Sequence, residues 1–133
     1  MTDLEKYFKG LADINRLRIL NLLTRGELCG CDIQYVLESP QPNVSRHLQY
    51  LKNSGLVLDR RDGYRVYYRL AEPHTGIRKS LFEFLHLAFK GEEPFRSDAK
   101  RLKDAISQGA CTLSELKSST VLIGSKSADS ARA

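Results

Sequence analysis

The chain has 133 residues, enough for one domain with a shallow core, and it is 41% hydrophobic and 28% charged. This mixture excludes collagen-like, mucin-like and fully disordered chains. No apolar run approaches the roughly 20 residues of a membrane-spanning helix, and the charged N-terminus lacks the apolar region of a signal peptide. We therefore expect a cytoplasmic protein without a membrane partner, whose three cysteines are thiols instead of a disulfide framework.

The net charge of +5 is concentrated in one part of the chain. Residues 43–69 hold six basic and two acidic residues, whereas residues 1–42 hold five basic and six acidic residues. Concentrated positive charge is typical of a surface that binds a polyanion. From charge alone, a solvated basic face without a partner is the alternative.

Three short helices are predicted in the first part of the chain. The first ends near Gly10, and Asp13 is a natural N-cap for a second, buried helix that closes near Gly26. A third helix is expected from Asp32 to Leu37, and the proline-containing stretch after it cannot continue a helix.

The fourth predicted helix runs from about Pro42 to Ser54 and has a polar outer face. Val44, Leu48 and Leu51 recur at i, i+4 and i+7, so one face is buried. The opposite face carries groups that bond to phosphates and base edges, namely Ser45, Arg46, Gln49 and Asn53, with His47 and Tyr50 flanking them.

Two strands, from Val57 to Arg61 and from Tyr64 to Leu70, flank Asp62-Gly63, which is a strong signal for a two-residue hairpin. A type I′ turn there sets Arg60 opposite Arg65. Two arginines facing each other repel, and an anion nearby would relieve that repulsion.

An apolar helix that ends at Gly91 and a charged helix over residues 98–108 complete a domain of residues 1–110. The apolar stripe of the first is wider than one neighbour needs, so we interpret it as a subunit interface; an ordinary core helix is the alternative. The interface is expected to contain Ile77, Leu81, Phe84, Leu85 and Ala88, joined by Leu4, Tyr7 and Phe8. Residues 111–133, in which Ser, Ala and Lys dominate, are expected to be a disordered tail.

The order of these elements predicts a mainly α fold with a small β-hairpin, a winged helix-turn-helix. A helix of this kind fits the major groove of DNA, and the arginines of the hairpin, the wing, meet flanking phosphates. The expected DNA-binding residues are Gln41, Asn43, Ser45, Arg46, His47, Gln49, Arg60, Arg61 and Arg65.

Several motifs resemble those of the ArsR/SmtB family of bacterial metal-sensing repressors, over roughly residues 4–110. They are Leu11-Ala12-Asp13 with Arg16-Leu17-Arg18-Ile19-Leu20, Gly26-Glu27-Leu28-Cys29-Gly30-Cys31-Asp32, Gln41-Pro42-Asn43-Val44-Ser45-Arg46-His47-Leu48, Leu51-Lys52-Asn53-Ser54-Gly55-Leu56-Val57 and the wing from Asp59 to Leu70. The Cys-x-Cys before a short helix is similar to the arsenic-responsive branch. The resemblance implies a homodimeric repressor that binds operator DNA when metal-free and is released by arsenite or antimonite held by thiolates. Members of that branch usually carry a third cysteine where this chain has Gln34.

Cys29 and Cys31 are the first candidate ligands, because thiolates select soft or borderline ions. In a regular helix, residues i and i+2 lie roughly 200° apart, so their sulfurs close on one ion only if the backbone around Gly30 is extended. Binding therefore demands a local conformation that the free chain need not adopt. Two small buried cysteines without a ligand are the alternative.

Cys111 is the third candidate metal ligand, from either subunit; otherwise it is an exposed thiol without a role, and a small-molecule thiol completes the site. Glu83 and His86 are three residues apart on one helix, a spacing that can hold zinc, although the paired pattern of the zinc-sensing relatives is not reproduced.

No sequence motif of an enzyme is present: a Gly-rich phosphate loop, Gly-x-Ser-x-Gly and His-Glu-x-x-His all fail to occur. We therefore expect a regulator and not an enzyme. A repressor of the same fold that senses thiol oxidation, or cadmium, lead or zinc, is the alternative function. A pure protein-interaction module leaves the basic stretch unexplained.

Overall fold

Six helices and three short strands make up residues 1–73 and 76–109, the part of the chain that this computed structural model describes. The helices are α1 (Asp3–Leu11), α2 (Ile14–Leu23), α3 (Gly30–Leu37), α4 (Gln41–Asn53), α5 (Gly76–Lys90) and α6 (Phe95–Ser107), and the strands are β1 (Leu28–Cys29), β2 (Val57–Asp62) and β3 (Arg65–Leu70). The mainly helical fold with a small sheet is confirmed. Cys111, His74 and the predicted tail lie outside the described residues, so the domain boundary at residue 110 stays a prediction.

Each of the first two helices has a side-chain N-cap. Thr2 and Glu5 form a reciprocal capping box at α1. At α2, the predicted cap is confirmed, because the Asp13 carboxylate accepts hydrogen bonds from the backbone N–H groups of Asn15 and Arg16, at 2.8 and 3.2 Å. These caps set where both helices begin.

The core forms around α2, which packs against α1, α3, α4 and α6. The second helix was predicted to be buried through Leu17, Ile19, Leu20, Leu22 and Leu23; the last four are buried and Leu17 is half-buried. The inward faces expected for α3 and α4 are buried: Ile33, Val36, Leu37, Val44, Leu48 and Leu51. Helices α3 and α4 therefore pack against each other within one core.

Two polar contacts tie α2 to α6 across the core. The Arg18 guanidinium donates to both oxygens of the buried Asp98 carboxylate, at 2.7 and 3.0 Å. These hydrogen bonds raise the pKa of Arg18 above its ordinary value. The side-chain amide of Asn21 donates to the backbone carbonyl of Phe95 at 2.9 Å.

The antiparallel sheet has the strand order β1-β3-β2, and β1 is a short strand that the sequence did not predict. The predicted register of the hairpin is wrong by one position on each strand. Asp62 pairs with Arg65, so the turn residues are Gly63 and Tyr64. Gly63 has φ +68° at the first turn position. A type II′ turn requires a positive φ there, which favours glycine. Arg60 therefore faces Tyr67, not Arg65.

At Gly10, α1 crosses closely over the end of α4. A Cβ at this glycine would lie 2.8 Å from Ser54 Oγ and 3.2 Å from Leu56 Cδ1. Beside this crossing, the Arg16 guanidinium donates to the carbonyls of Lys9 and Gly10 and lies 4.0 Å over the Tyr50 ring. The end of α1, the start of α2 and the outer side of α4 are thus joined at one point.

Within residues 1–73 and 76–109, every helix is too short or too polar to cross a lipid bilayer.

Candidate DNA-binding surface and thiol site

The outer face of α4 presents polar side chains that hydrogen-bond along the helix. Gln41 donates to Ser45 Oγ at 2.6 Å, and Arg46 donates to Asn43 Oδ1 at 2.7 Å. Gln49 in turn donates to Asn53 Oδ1 at 3.0 Å. These bonds hold the predicted base-contacting groups on one face, from which Arg46 and Gln49 remain exposed to a partner.

His47 lies differently from the other predicted DNA contacts on this helix. Its Nδ1 is 3.9 Å from the Asp13 carboxylate, at the start of α2. The imidazole is thus directed back toward the domain, and contact between His47 and DNA stays a prediction.

The wing carries the other predicted DNA contacts, Arg60, Arg61 and Arg65. Arg61 is exposed on β2, whereas Arg65 is half-buried on β3 with its guanidinium 5.6 Å from the ring of Tyr64. Tyr64 stands at the hairpin tip with 82% of its surface exposed. Arginines beside an exposed aromatic tip suit a wing that lies along a DNA backbone.

Arg60 on β2 contacts Tyr67 of the neighbouring strand β3 and Glu27, which lies directly before β1. Its guanidinium donates to the two oxygens of Glu27, at 2.7 and 2.9 Å, and lies 4.6 Å over the ring of Tyr67. These hydrogen bonds lower the pKa of Glu27 and raise the pKa of Arg60 relative to their ordinary values. A phosphate that binds Arg60 therefore competes with a carboxylate already in place.

The two nearby cysteines lie on either side of the start of α3. Cys29 is buried, pairs with Tyr67 in the sheet and is the N-cap of the helix, with extended φ −72° and ψ 148°. Its Sγ accepts a hydrogen bond from the backbone N–H of Cys31 at 3.3 Å. Since Cys29 lies outside the helix, the opposed orientation of positions i and i+2 within a regular helix does not apply here.

A cleft of about 300 Å³ lies between the cysteines and the elements predicted to bind DNA. Cys29, Gly30 and Cys31 form one wall, and the others come from α4 and the wing, including Gln41, Ser45, Arg65, Val66 and Tyr68. Burial raises the pKa of the Tyr68 hydroxyl above its ordinary value, and a Cβ at Gly30 would lie only 3.4 Å from the Tyr68 ring. Gln34, which stands where the resemblance leads one to expect a cysteine, also lines this cleft.

The described residues hold no group of three or more His, Cys, Asp or Glu side chains arranged to bind a metal ion. Of the two cysteines in this part of the chain, Cys29 carries a thiol and Cys31 is disulfide-bonded, so the expectation that all three cysteines are thiols is wrong for Cys31. The predicted third ligand, Cys111, lies outside the described residues. Glu83 and His86 are both exposed on α5. Reduction of Cys31 would leave two cysteine sulfurs at the start of α3, and soft donors of this kind select soft or borderline ions.

Two parts of this site were missed by sequence reasoning, β1 and Glu27. A two-residue strand gives no periodic pattern, and the partner of Glu27 lies 33 residues along the chain. An acidic residue beside the cysteine pair was the only available signal.

Comparisons with known proteins agree with this geometry. A family profile described as "Bacterial regulatory protein, arsR family" matches residues 13–58. The "Arsenical resistance operon repressor" of Escherichia coli K12 is 54% identical over 68 residues, which are 50% of this chain and 57% of that protein. The "Arsenic resistance transcriptional regulator ArsR2" of Pseudomonas putida is 38% identical over 99 residues, covering 73% of this chain and 84% of that protein.

A relative with a different named metal is also similar. A "Cadmium resistance transcriptional regulatory protein CadC homolog" of Staphylococcus aureus is 42% identical over 87 residues, covering 63% of this chain and 69% of that protein. The chain spans little more than half the length of the Escherichia coli repressor.

Solved structures show the same fold. HlyU from Vibrio cholerae superposes with a TM-score of 0.58 at 31% identity, over 65% of this chain and 90% of that chain. The homodimeric winged helix-turn-helix domain of Mb0332 from Mycobacterium bovis superposes with a TM-score of 0.57 at 35% identity, over 65% of this chain and 77% of that chain. These relatives and neighbours are regulators and not enzymes, which agrees with the sequence-based expectation.

Proposed function

The chain is a member of the bacterial arsR family of winged helix-turn-helix regulators, and from that premise we propose that it is a transcriptional repressor. It acts in the cytoplasm, binds operator DNA as a homodimer, and leaves the DNA when arsenite or antimonite binds its cysteine thiolates. The single observation that carries this proposal is the cleft in which the cysteine pair, α4 and the wing meet.

DNA binding rests on α4 and the wing. In this proposal α4 enters the major groove with Ser45, Arg46 and Gln49 toward the base edges, while Arg61 and Arg65 lie along the phosphates. Ser45, Arg46 and Gln49 are assigned to the bases because they share the outer face of one helix. The two arginines are assigned to the phosphates because they flank the hairpin tip.

We expect Arg46→Ala to weaken operator binding by about 1–3 kcal/mol, because an arginine on this face suits the acceptor pair of a guanine. Arg65→Ala is the matched variant on the wing, and it weakens binding to all sequences and lowers the salt slope by about one unit. Fluorescence anisotropy at several salt concentrations measures both. Unchanged affinity and salt dependence in both variants would remove these residues from the DNA interface.

The homodimer rests on apolar side chains of α1 and α5 that the described chain leaves in solvent. Ile77 and Phe84 lie seven residues apart on one face of α5 and are 56% and 65% exposed, and Leu4 and Phe8 of α1 are similarly exposed. Tyr7 and Leu85, which were expected in the interface, are instead buried within the chain. Leu87 is 70% exposed and joins the interface in this proposal.

Phe84→Asp is expected to raise the dimer dissociation constant by at least tenfold, because it places a charge in the centre of the apolar stripe. Sedimentation or light scattering at micromolar concentration checks this. Tyr64→Asp at the hairpin tip is the control. It introduces the same carboxylate in place of an aromatic side chain that is even more exposed, and the measured mass is expected to remain that of a dimer. A wild-type chain that is monomeric while it binds the operator fully would contradict the proposed assembly.

Induction rests on the position of the cysteines at the start of α3. In the reduced protein, a ligand that draws the sulfurs of Cys29 and Cys31 together changes the backbone around Gly30, where α3 begins. Since α3 packs against α4, and its residues Ile33 and Val36 are buried in the shared core, the change moves the outer face of α4 relative to the groove. Release requires only that the ligand bind the low-affinity arrangement more tightly, and DNA then disfavours the ligand by the same coupling free energy.

Cadmium sensing is the second candidate function, and the similarity to the Staphylococcus aureus cadmium regulator favours it. One experiment separates the candidates: release from the operator titrated in parallel with arsenite, antimonite, cadmium, lead, zinc and peroxide, with reductant in the metal series. Release by arsenite and antimonite at the lowest concentrations supports the main proposal. Release by cadmium alone, or by peroxide alone, would assign the chain to the other sensor classes.

A further inference from the structure

The ion pair between Glu27 and Arg60 crosses the whole sheet. Arg60 lies on β2, Glu27 comes directly before β1, and β3 lies between these two strands. The guanidinium passes over the ring of Tyr67, the β3 residue opposite Arg60, and reaches both carboxylate oxygens on the far side. The pair therefore ties the outer strand of the wing to the segment that carries Cys29.

Glu27 stands on a very short segment. Gly26, the residue before it, has φ +124°, a backbone conformation that residues other than glycine rarely adopt. Cys29 follows two residues after Glu27. The segment is joined to the wing by two backbone pairings, Leu28 with Tyr68 and Cys29 with Tyr67, and by the Glu27–Arg60 pair. Among these links, the ion pair is the one that reaches β2.

This pair differs from an ordinary surface ion pair. Exposed single contacts between charged side chains contribute little, but a bidentate arginine–carboxylate pair with ideal geometry is the exception. Here two hydrogen bonds and the aromatic ring below fix the guanidinium in one orientation. A fixed guanidinium transmits a displacement of Glu27, whereas a mobile one would absorb it.

We propose that Glu27 is a positioning residue that couples the cysteine pair to the wing, because it holds Arg60 to the segment that ends at Cys29. The inference rests on the proposed function of the cysteines and the wing. Cys31 is disulfide-bonded in this structure, so the coupling operates in the reduced protein. There a ligand that bridges Cys29 and Cys31 moves the segment, and Glu27 carries Arg60 and strand β2 with it. The DNA-facing arginines then leave the positions that fit the phosphates.

The test compares Glu27→Gln with a matched control, Asp59→Asn. Glutamine keeps the size of the side chain and removes the charge that fixes Arg60. Asp59 also lies in the sheet and pairs with a cation, Lys52, at 2.9 Å, but has no link to β1. Both variants remove one negative charge near the DNA-binding surface, so any general gain in DNA affinity is shared between them.

Phenylarsine oxide, a trivalent arsenical that bridges two thiols, is the probe. In the free reduced protein, it is expected to shift the backbone amide resonances of residues 60–67 in the wild type and in Asp59→Asn. In Glu27→Gln, the shifts shrink in β2, while the affinity of the chain for the probe stays within about twofold. The factor by which the probe weakens operator binding falls by about tenfold in Glu27→Gln and is unchanged in Asp59→Asn.

The coupling role of Glu27 is overturned if Glu27→Gln keeps both the wild-type shifts and the wild-type factor, or if Asp59→Asn loses as much as Glu27→Gln. It is also overturned if the probe shifts no wing resonance in the wild type. Wing shifts without any release of operator DNA contradict the proposed function instead, and leave the coupling between cysteines and wing supported. Thermal unfolding of both variants shows whether the fold is retained.

Discussion

Cys29→Ser and Cys31→Ser are each expected to keep operator binding and to raise the arsenite concentration for half-release by at least about 100-fold. Each change removes one soft donor, and a hydroxyl does not replace a thiolate toward a thiophilic ligand. The fold tolerates the first change for a specific reason. Cys29 is the N-cap of α3, and a serine oxygen is an even better acceptor for the N–H group that the sulfur now accepts.

The measurement is anisotropy of a labelled operator duplex, titrated with arsenite under strong reductant. Cys111→Ser is the companion variant, and it is expected to weaken the response while leaving part of it if an added thiol supplies the third donor. The doubly substituted chain, with serine at positions 29 and 31, is decisive. Its release from DNA at wild-type arsenite concentrations would show that the inducer binds elsewhere.

Arg18→Met is expected to lower the free energy of unfolding by about 3–5 kcal/mol, because it leaves the Asp98 carboxylate buried without its cation. The methionine preserves most of the length of the side chain, so the loss comes mainly from the unpaired charge. Urea unfolding followed by circular dichroism measures it at a fixed protein concentration, since dimerisation adds to the apparent stability.

Arg101→Met is the matched control for this prediction. Arg101 also pairs with a carboxylate, that of Glu38, at 2.9 Å, but both side chains are well exposed. Exposed pairs contribute about 0–1 kcal/mol, so this variant is expected to unfold close to the wild type. Equal losses in the two variants would show that burial of Asp98 does not determine the effect.

Periodic apolar positions were readable from the sequence because each depends on residues within one or two helical turns. Val44, Leu48 and Leu51 were predicted to be buried from their spacing alone, and all three are. The cap at Asp13 followed from the same local chemistry. These elements placed α4 and the wing, and with them most of the expected DNA-binding surface.

Helix bounds and strand register were harder to predict from the sequence. The third helix begins at Gly30, two residues before the prediction, because Cys29 serves as its cap. The last helix begins at Phe95, three residues before the charged stretch that predicted it, because packing of Phe95 against Phe89 extends it. In the hairpin, Asp62-Gly63 is a common turn pair, but Gly63-Tyr64 also fits a two-residue turn, and the pairing of the full strands selects it.

Contacts between distant residues were beyond the reach of sequence patterns. Arg18 and Asp98 are 80 positions apart, and Glu27 and Arg60 are 33 apart. Each charge by itself looks like an ordinary surface residue. The link between the cysteine segment and the wing therefore became visible only when the sheet order placed β1 beside β3.

The close crossing at Gly10 gives α1 a second task in the proposed dimer. Gly10 lets α1 pack directly on Ser54, and Arg16 links the same crossing to Tyr50. These contacts hold α1 at a fixed angle to α4. When the α1 helices of two subunits pack about a two-fold axis, the angle between α1 and α4 determines the distance between the two α4 helices. The helix crossing at Gly10, which is remote from the proposed DNA contacts, would then determine which spacing of operator half-sites the dimer can bind.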